Sequence, residues 1–175
     1  MRAIKITTIS ILAVGLLAGS AVGVAAQDEE ATTTSFTGTS SFVEFISEGT
    51  WGPLPNGLDE SANFVGLHRW ESSDPRLTGD VIVASTSLID PDKSNVLTSS
   101  TYELTNDGGS WLGEHTAFGS ADHALTGPII FVGRDGYEGL TAYAINQFDD
   151  AGNAEFSGVI FPTALPSFPE LPAAE

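Results

Sequence analysis

The sequence predicts a single all-β domain of eight antiparallel strands connected up and down. Three observations carry that expectation. No window shows the apolar period of an amphipathic helix. Short runs of β-branched and aromatic residues instead recur at intervals of roughly 10 to 15 residues, separated by Gly, Asn, Asp and Pro clusters. The chain of 175 residues, 41 % apolar and 9 % aromatic, is one domain's length and carries enough apolar surface to offset the entropy of ordering it. A sheet of this kind either closes into a barrel or folds into a sandwich.

The chain opens with Arg2 and Lys5, followed by an uncharged, apolar stretch from Ile6 to Gln27 that includes the small-residue exit Gly23-Val24-Ala25-Ala26. A basic start, an apolar middle and small residues before the acidic Asp28-Glu29-Glu30 read as a secretory signal peptide over residues 1–26, with a retained membrane anchor as the alternative. The expected compartment is therefore extracytoplasmic. Residues 27–34 are acidic and Thr-rich and read as a flexible leader, and residues 35–162 hold the barrel-forming domain. The Pro-rich end, 163–175, excludes helix and central strand.

The eight strands are expected at 35–46, 62–71, 77–89, 96–106, 109–118, 123–133, 138–148 and 154–161. Residues 50–61 read as a long loop whose Trp51 caps one end of the sheet. The clearest hairpin runs from Tyr102 to Gly113, where Asp107-Gly108 suits the positive φ angles of a type I′ turn. That register pairs Leu104 with Trp111 and Tyr102 with Gly113 on one face, and Glu103 with Leu112 on the other. Further turns are read at 133–136 and 149–153.

Charge narrows the partners. There are 23 Asp and Glu against 6 Lys and Arg, and cleavage after Ala26 leaves only Arg69, Arg76, Lys93 and Arg134 as cations. So acidic a surface repels phosphate backbones and anionic membranes, so neither nucleic acid nor stable membrane insertion is expected. The absence of Cys removes disulfides, thiol catalysis and Cys-based zinc sites.

The segment Gly133-Arg134-Asp135-Gly136-Tyr137-Glu138-Gly139 resembles the Gly-x-x-Gly-aromatic-Glu-Gly turn of the allene oxide cyclase and dirigent barrels. Four further blocks, Glu71–Gly79, Asn106–Gly113, Tyr137–Tyr143 and Gly158–Pro162, resemble secreted bacterial proteins of that barrel type. The resemblance covers residues 70–162 and implies an eight-stranded antiparallel up-and-down β-barrel whose bore can hold an apolar organic ligand. It also makes a homo-oligomer plausible and transfers no catalytic residue.

No hydrolase elbow, metalloprotease helix, P-loop or dinucleotide fingerprint is present. The three histidines, His68, His115 and His123, have no ligand spacing and read as surface or bore-lining positions. Asp90-Pro91-Asp92 and Asp149-Asp150 offer carboxylates to calcium, although turns need the same residues for backbone reasons. No metal or cofactor is expected. Asp74-Pro75-Arg76 reads either as an ion-paired corner or as an Arg that anchors a ligand carboxylate. If the bore is open, its aromatic walls are expected from Trp70, Tyr102, Trp111 and Tyr143, and its polar groups from Glu71, Arg76, Glu103, Glu114 and His115. Three roles follow: a binder of a small apolar or amphipathic ligand, an isomerase or cyclase using a bore carboxylate, and a structural or surface-interaction protein with a filled barrel.

Overall fold

The computed structural model describes residues 32–92, 94–120, 123–149 and 152–167, with no side-chain description for His123 and Ala124. The signal peptide read over 1–26, most of the leader, Lys93, Asp122, Asp150 and the tail beyond residue 167 lie outside the described residues.

Nine strands form: β1 (Thr34–Ser47), β2 (Thr50–Pro53), β3 (Asp59–Ser72), β4 (Gly79–Ile89), β5 (Val96–Asn106), β6 (Gly109–Ser120), β7 (His123–Arg134), β8 (Thr141–Phe148) and β9 (Ala154–Phe161). Every pairing is antiparallel, and β3 to β9 are sequential neighbours that β1 closes by pairing with both β9 and β3. The result is an eight-stranded up-and-down barrel with β2 as an extra outer strand, so closure removes the sheet edges that an open sheet would expose.

The hairpin of β5 and β6 has the expected register, Leu104 with Trp111, Tyr102 with Gly113 and Glu103 with Leu112. Its turn differs from expectation. Neither Asp107 nor Gly108 has positive φ; that angle falls on Gly109 at 154°. Asn106 Oδ1 accepts from the Gly108 N–H at 3.0 Å and so makes a local Asx turn in place of the type I′ geometry. Gly108 is required for a second reason, because a Cβ there would lie 2.3 Å from the Tyr137 hydroxyl.

The expected loop at 50–61 is the main departure. Gly, Pro and Asn suggested turns throughout, yet Thr50–Pro53 pairs with the start of β3, where Pro is tolerated because the strand lies at an edge. Trp51 therefore stands 60 % exposed on this outer ribbon and caps nothing. Two other boundaries shift because short 3-10 turns, Pro75–Leu77 and Asp135–Tyr137, precede β4 and β8.

Alternation sends every second side chain into the bore, and one end of it is packed solid. Trp70 stacks on Phe156 with centroids 4.2 Å apart and meets Phe131 edge-on at 5.5 Å. Gly113 leaves room for the Phe131 ring, 2.5 Å from where a Cβ would stand. Beyond them Trp111 stacks on Tyr137 at 5.2 Å, and Leu77, fully buried, sits in the same apolar cluster.

The corner holding Leu77 is tied down by polar groups. Asp74 accepts from the Arg76 backbone N–H at 3.0 Å and from its guanidinium at 2.9 and 2.6 Å. Trp111 Nε1 donates to the Arg76 carbonyl, and Asn106 Nδ2 donates to those of Arg76 and Thr78. Leu77→Ala is expected to lower unfolding stability by about 2–5 kcal/mol, the range for emptying a fully buried leucine site, as read from urea denaturation.

Candidate functional site

The other half of the bore is not filled. Past the Trp70 layer the inward residues of β4 to β6 shrink to Ser85, Ser87, Thr98, Ser100 and Ala117, and a cavity of about 450 Å³ opens beside them. Pockets of this size hold small organic ligands. Its mouth lies where β1 parts from β9 after the Ser40 to Ala154 pair while staying on β3.

The cavity has unlike walls. On β1 and β3, Phe42, Phe45 and Phe64 form a ring cluster with centroids 4.7 and 5.2 Å apart, and Phe148 of β8 joins the lining. On β4 and β5, Ser85 pairs with Ser100 and Ser87 with Thr98, each hydroxyl pair 2.8 Å apart.

At the floor is a buried relay. His115 Nε2 lies 3.0 Å from Asn146 Oδ1, and His115 Nδ1 lies 3.4 Å from the Tyr102 hydroxyl. With Asn146 presenting its oxygen, Nε2 carries the proton and Tyr102 donates to Nδ1. Burial pushes His115 down to about 4, against the Asn146 bond that favours the charged ring, and pushes the Tyr102 phenol up. A second imidazole, His68, faces the cavity from β3, with Nδ1 3.3 Å from the Ser40 hydroxyl, and burial lowers it as well. Both rings are therefore neutral at pH 7. Asn146 is 1 % exposed, and its Nδ2 has no hydrogen-bond partner among the described residues. Such an orphaned donor is rare in protein interiors.

Of the residues expected from sequence, Tyr102 and His115 line this cavity. Trp70 and Trp111 are buried in the packed end instead. Glu71, Glu103, Glu114 and Tyr143 stand on the outer wall, because each is the sequence neighbour of an inward residue and strand side chains alternate. Among the described residues no carboxylate lines the cavity, and the glutamates expected there face outward. Arg76 is held by Asp74 at the packed end, which is the corner reading of that motif.

The acidic turns are occupied locally. Asp90 Oδ2 accepts from Ser94 and Asn95, and Asp149 Oδ1 from the Asn153 N–H. Among the described residues no group of three or more His, Asp or Glu is placed to hold a metal ion, and no helix is long and apolar enough to cross a membrane.

Sequence reasoning missed Asn146, the Phe cluster and the hydroxyl pairs. The available signal was parity. Asn146 falls in step with the inward Ala142 and Ala144, and Ser85 and Ser87 follow the inward Val81 and Val83.

Fold and site together define an eight-stranded β-barrel with a packed end and an open cavity whose described lining residues include no Asp, Glu, Lys or Arg. No protein-family model matches the chain, and no curated protein matches it in sequence.

Acid is expected to destabilise the barrel through these imidazoles. A His whose folded pKa is lowered binds its proton more readily when unfolded, so stability falls as pH drops below about 6.5, and for His115 the loss is complete near pH 4. The His115 contribution is on the order of 2–3 kcal/mol. Urea midpoints at pH 7 and pH 4.5 measure it, and His115→Gln is expected to reduce the difference.

Proposed function

We propose that this protein is an exported barrel of the allene oxide cyclase and dirigent type that binds a small apolar or amphipathic molecule in the open half of its bore. The observation that carries the reading is the 450 Å³ cavity walled by phenyl rings and floored by the Tyr102, His115 and Asn146 relay. An eight-stranded bore is wide enough either to be filled by its own side chains or to hold one ligand. Here the residues at the open end are too small to fill it. Export rests on the basic, apolar and small-residue order of the first 26 residues, and the acidic composition suits an exported, soluble surface.

One observation favours turnover as a second reading. A neutral imidazole hydrogen-bonded to a phenol inside a cavity can move a proton on a bound molecule. In that case the Tyr102 oxygen takes the substrate's proton as its own O–H proton passes to His115 Nδ1, and no carboxylate is involved.

Assembly through the barrel wall is supported by Val132, Tyr143, Ile145 and Phe161, apolar side chains on the neighbouring strands β7 to β9 that are 38–43 % exposed. Apolar surface gathered in this way marks contact faces.

The full chain purified from its natural host, examined by native mass spectrometry and then after denaturing extraction, is expected to carry an adduct of a few hundred daltons that denaturation releases. The same spectrum reports the oligomeric state. Ala117→Phe, which places a ring in the cavity, is expected to keep the fold and lose the adduct. A chain of bare mass that also fails to take up any added apolar compound would turn the reading toward a structural barrel.

A further inference from the structure

The two unlike walls say more than that a ligand fits. In each hydroxyl pair of the β4 and β5 wall one O–H donates to the other oxygen, which leaves the second O–H and spare lone pairs without a protein partner among the described residues. Ser100 and Thr98 are 9 % and 8 % exposed and Ser85 and Ser87 are half-buried, and all four line the cavity, so these free valences open onto it. The pairs sit two residues apart along the strands, which spaces the two donors by about 7 Å down the bore. Phe148 of β8 lies across the barrel from β4 in strand order, and Phe64, the cross-strand partner of Ser85, leads from the ladder round to Phe42 and Phe45 on β1; these rings offer nothing to hydrogen-bond.

Among the described residues of the lining none is Asp, Glu, Lys or Arg. An ionised ligand would lose its hydration there with no counter-charge from these residues to replace it, which is strongly unfavourable. Anions are further opposed by the protein's net charge of −17. A cation would find no carboxylate among the described lining residues to pair with.

We infer that the bore selects an uncharged, two-sided molecule, a ring system or short hydrocarbon with hydroxyl or carbonyl groups along one edge and bare hydrocarbon along the other. The oxygenated edge lies on the Ser85–Ser100 and Ser87–Thr98 ladder, and the bare edge lies on the phenyl wall. Its inner end reaches the Tyr102 and His115 floor. This inference rests on the bore being a binding site and goes beyond it by fixing the ligand's chemistry.

Four probes built on one skeleton test it: naphthalene, a naphthalenediol with both hydroxyls on one long edge, its isomer with them on opposite edges, and naphthoate. Titrated against the full chain and followed by the probe's own fluorescence, the same-edge diol is expected to bind about tenfold tighter than naphthalene, as two net hydrogen bonds allow. The opposite-edge diol is expected to lose most of that gain, and naphthoate to bind weakest.

Removing both members of a pair, Ser85→Ala with Ser100→Ala, leaves no stranded hydroxyl behind. It is expected to bring the same-edge diol within about twofold of naphthalene while naphthalene binding persists, which shows that the variant is folded. Equal binding of both diols and naphthalene, or tightest binding of naphthoate, would overturn the ligand class and leave the bore a binding site. Binding of none of the four would overturn the site reading itself.

Discussion

Closing eight strands fixes the width of the bore, and almost everything else about this molecule follows from how that width is filled. Strand number and tilt set the diameter, so the backbone offers nearly the same cross-section at every level. Side-chain volume alone decides whether a level is solid. Where Trp70, Tyr102, Phe131 and Phe156 meet, four aromatic rings fill it. Further along, Ser85, Ser87, Thr98, Ser100 and Ala117 occupy inward positions, and these small side chains leave the level unfilled. The cavity is thus written in residue size, and no special backbone feature is needed to make it.

Strand existence and register were readable from the chain because period-two alternation and turn residues are local signals. The Tyr102 to Gly113 hairpin shows this: once two residues were placed in its turn, all its cross-strand partners followed. That same register already put Glu103 on the face opposite Tyr102, and the alternation argument extends to Glu71 beside Trp70 and Glu114 beside His115. Choosing the glutamates as bore residues weighed chemistry above parity, and parity prevailed. β2 was hidden because Pro and Gly at a strand edge look like a loop. Which end would be packed was not legible, since it depends on which inward residues of distant strands share a level. The Asn146 and His115 contact joins positions 31 residues apart, and no local pattern announces it.

Burial also explains the character of the site. A histidine in water titrates near neutral pH, but inside the bore the charged ring would lose its solvation, so both imidazoles stay neutral and offer one donor and one acceptor each. His115 uses both on Tyr102 and Asn146, which fixes its tautomer and its plane. His68 uses Nδ1 on Ser40 and makes no bond through Nε2 among the described residues. Hydrogen bonds in so buried a setting are electrostatically stronger than in water, and unmet ones are correspondingly unfavourable. The Asn146 Nδ2, without a partner among the described residues, is such an unmet donor buried behind His115.

The sequence blocks read as resembling the allene oxide cyclase and dirigent barrels fall largely at the other end. Glu71–Gly79 forms the Leu77 corner, Asn106–Gly113 the adjoining hairpin, and Tyr137–Tyr143 the turn whose phenol donates to Asn106. Glycine is demanded there by close approach: at Gly133 a Cβ would meet the Tyr137 carbonyl at 2.0 Å. Such residues are constrained because they plug the barrel, so a likeness built on them speaks for the plug and the fold and is silent on activity. The hydroxyl and phenyl walls carry no motif, since Ser, Thr and Phe at alternate strand positions are compatible with many barrels. Substitution at the open end can therefore reshape the cavity while the packed end keeps the barrel folded.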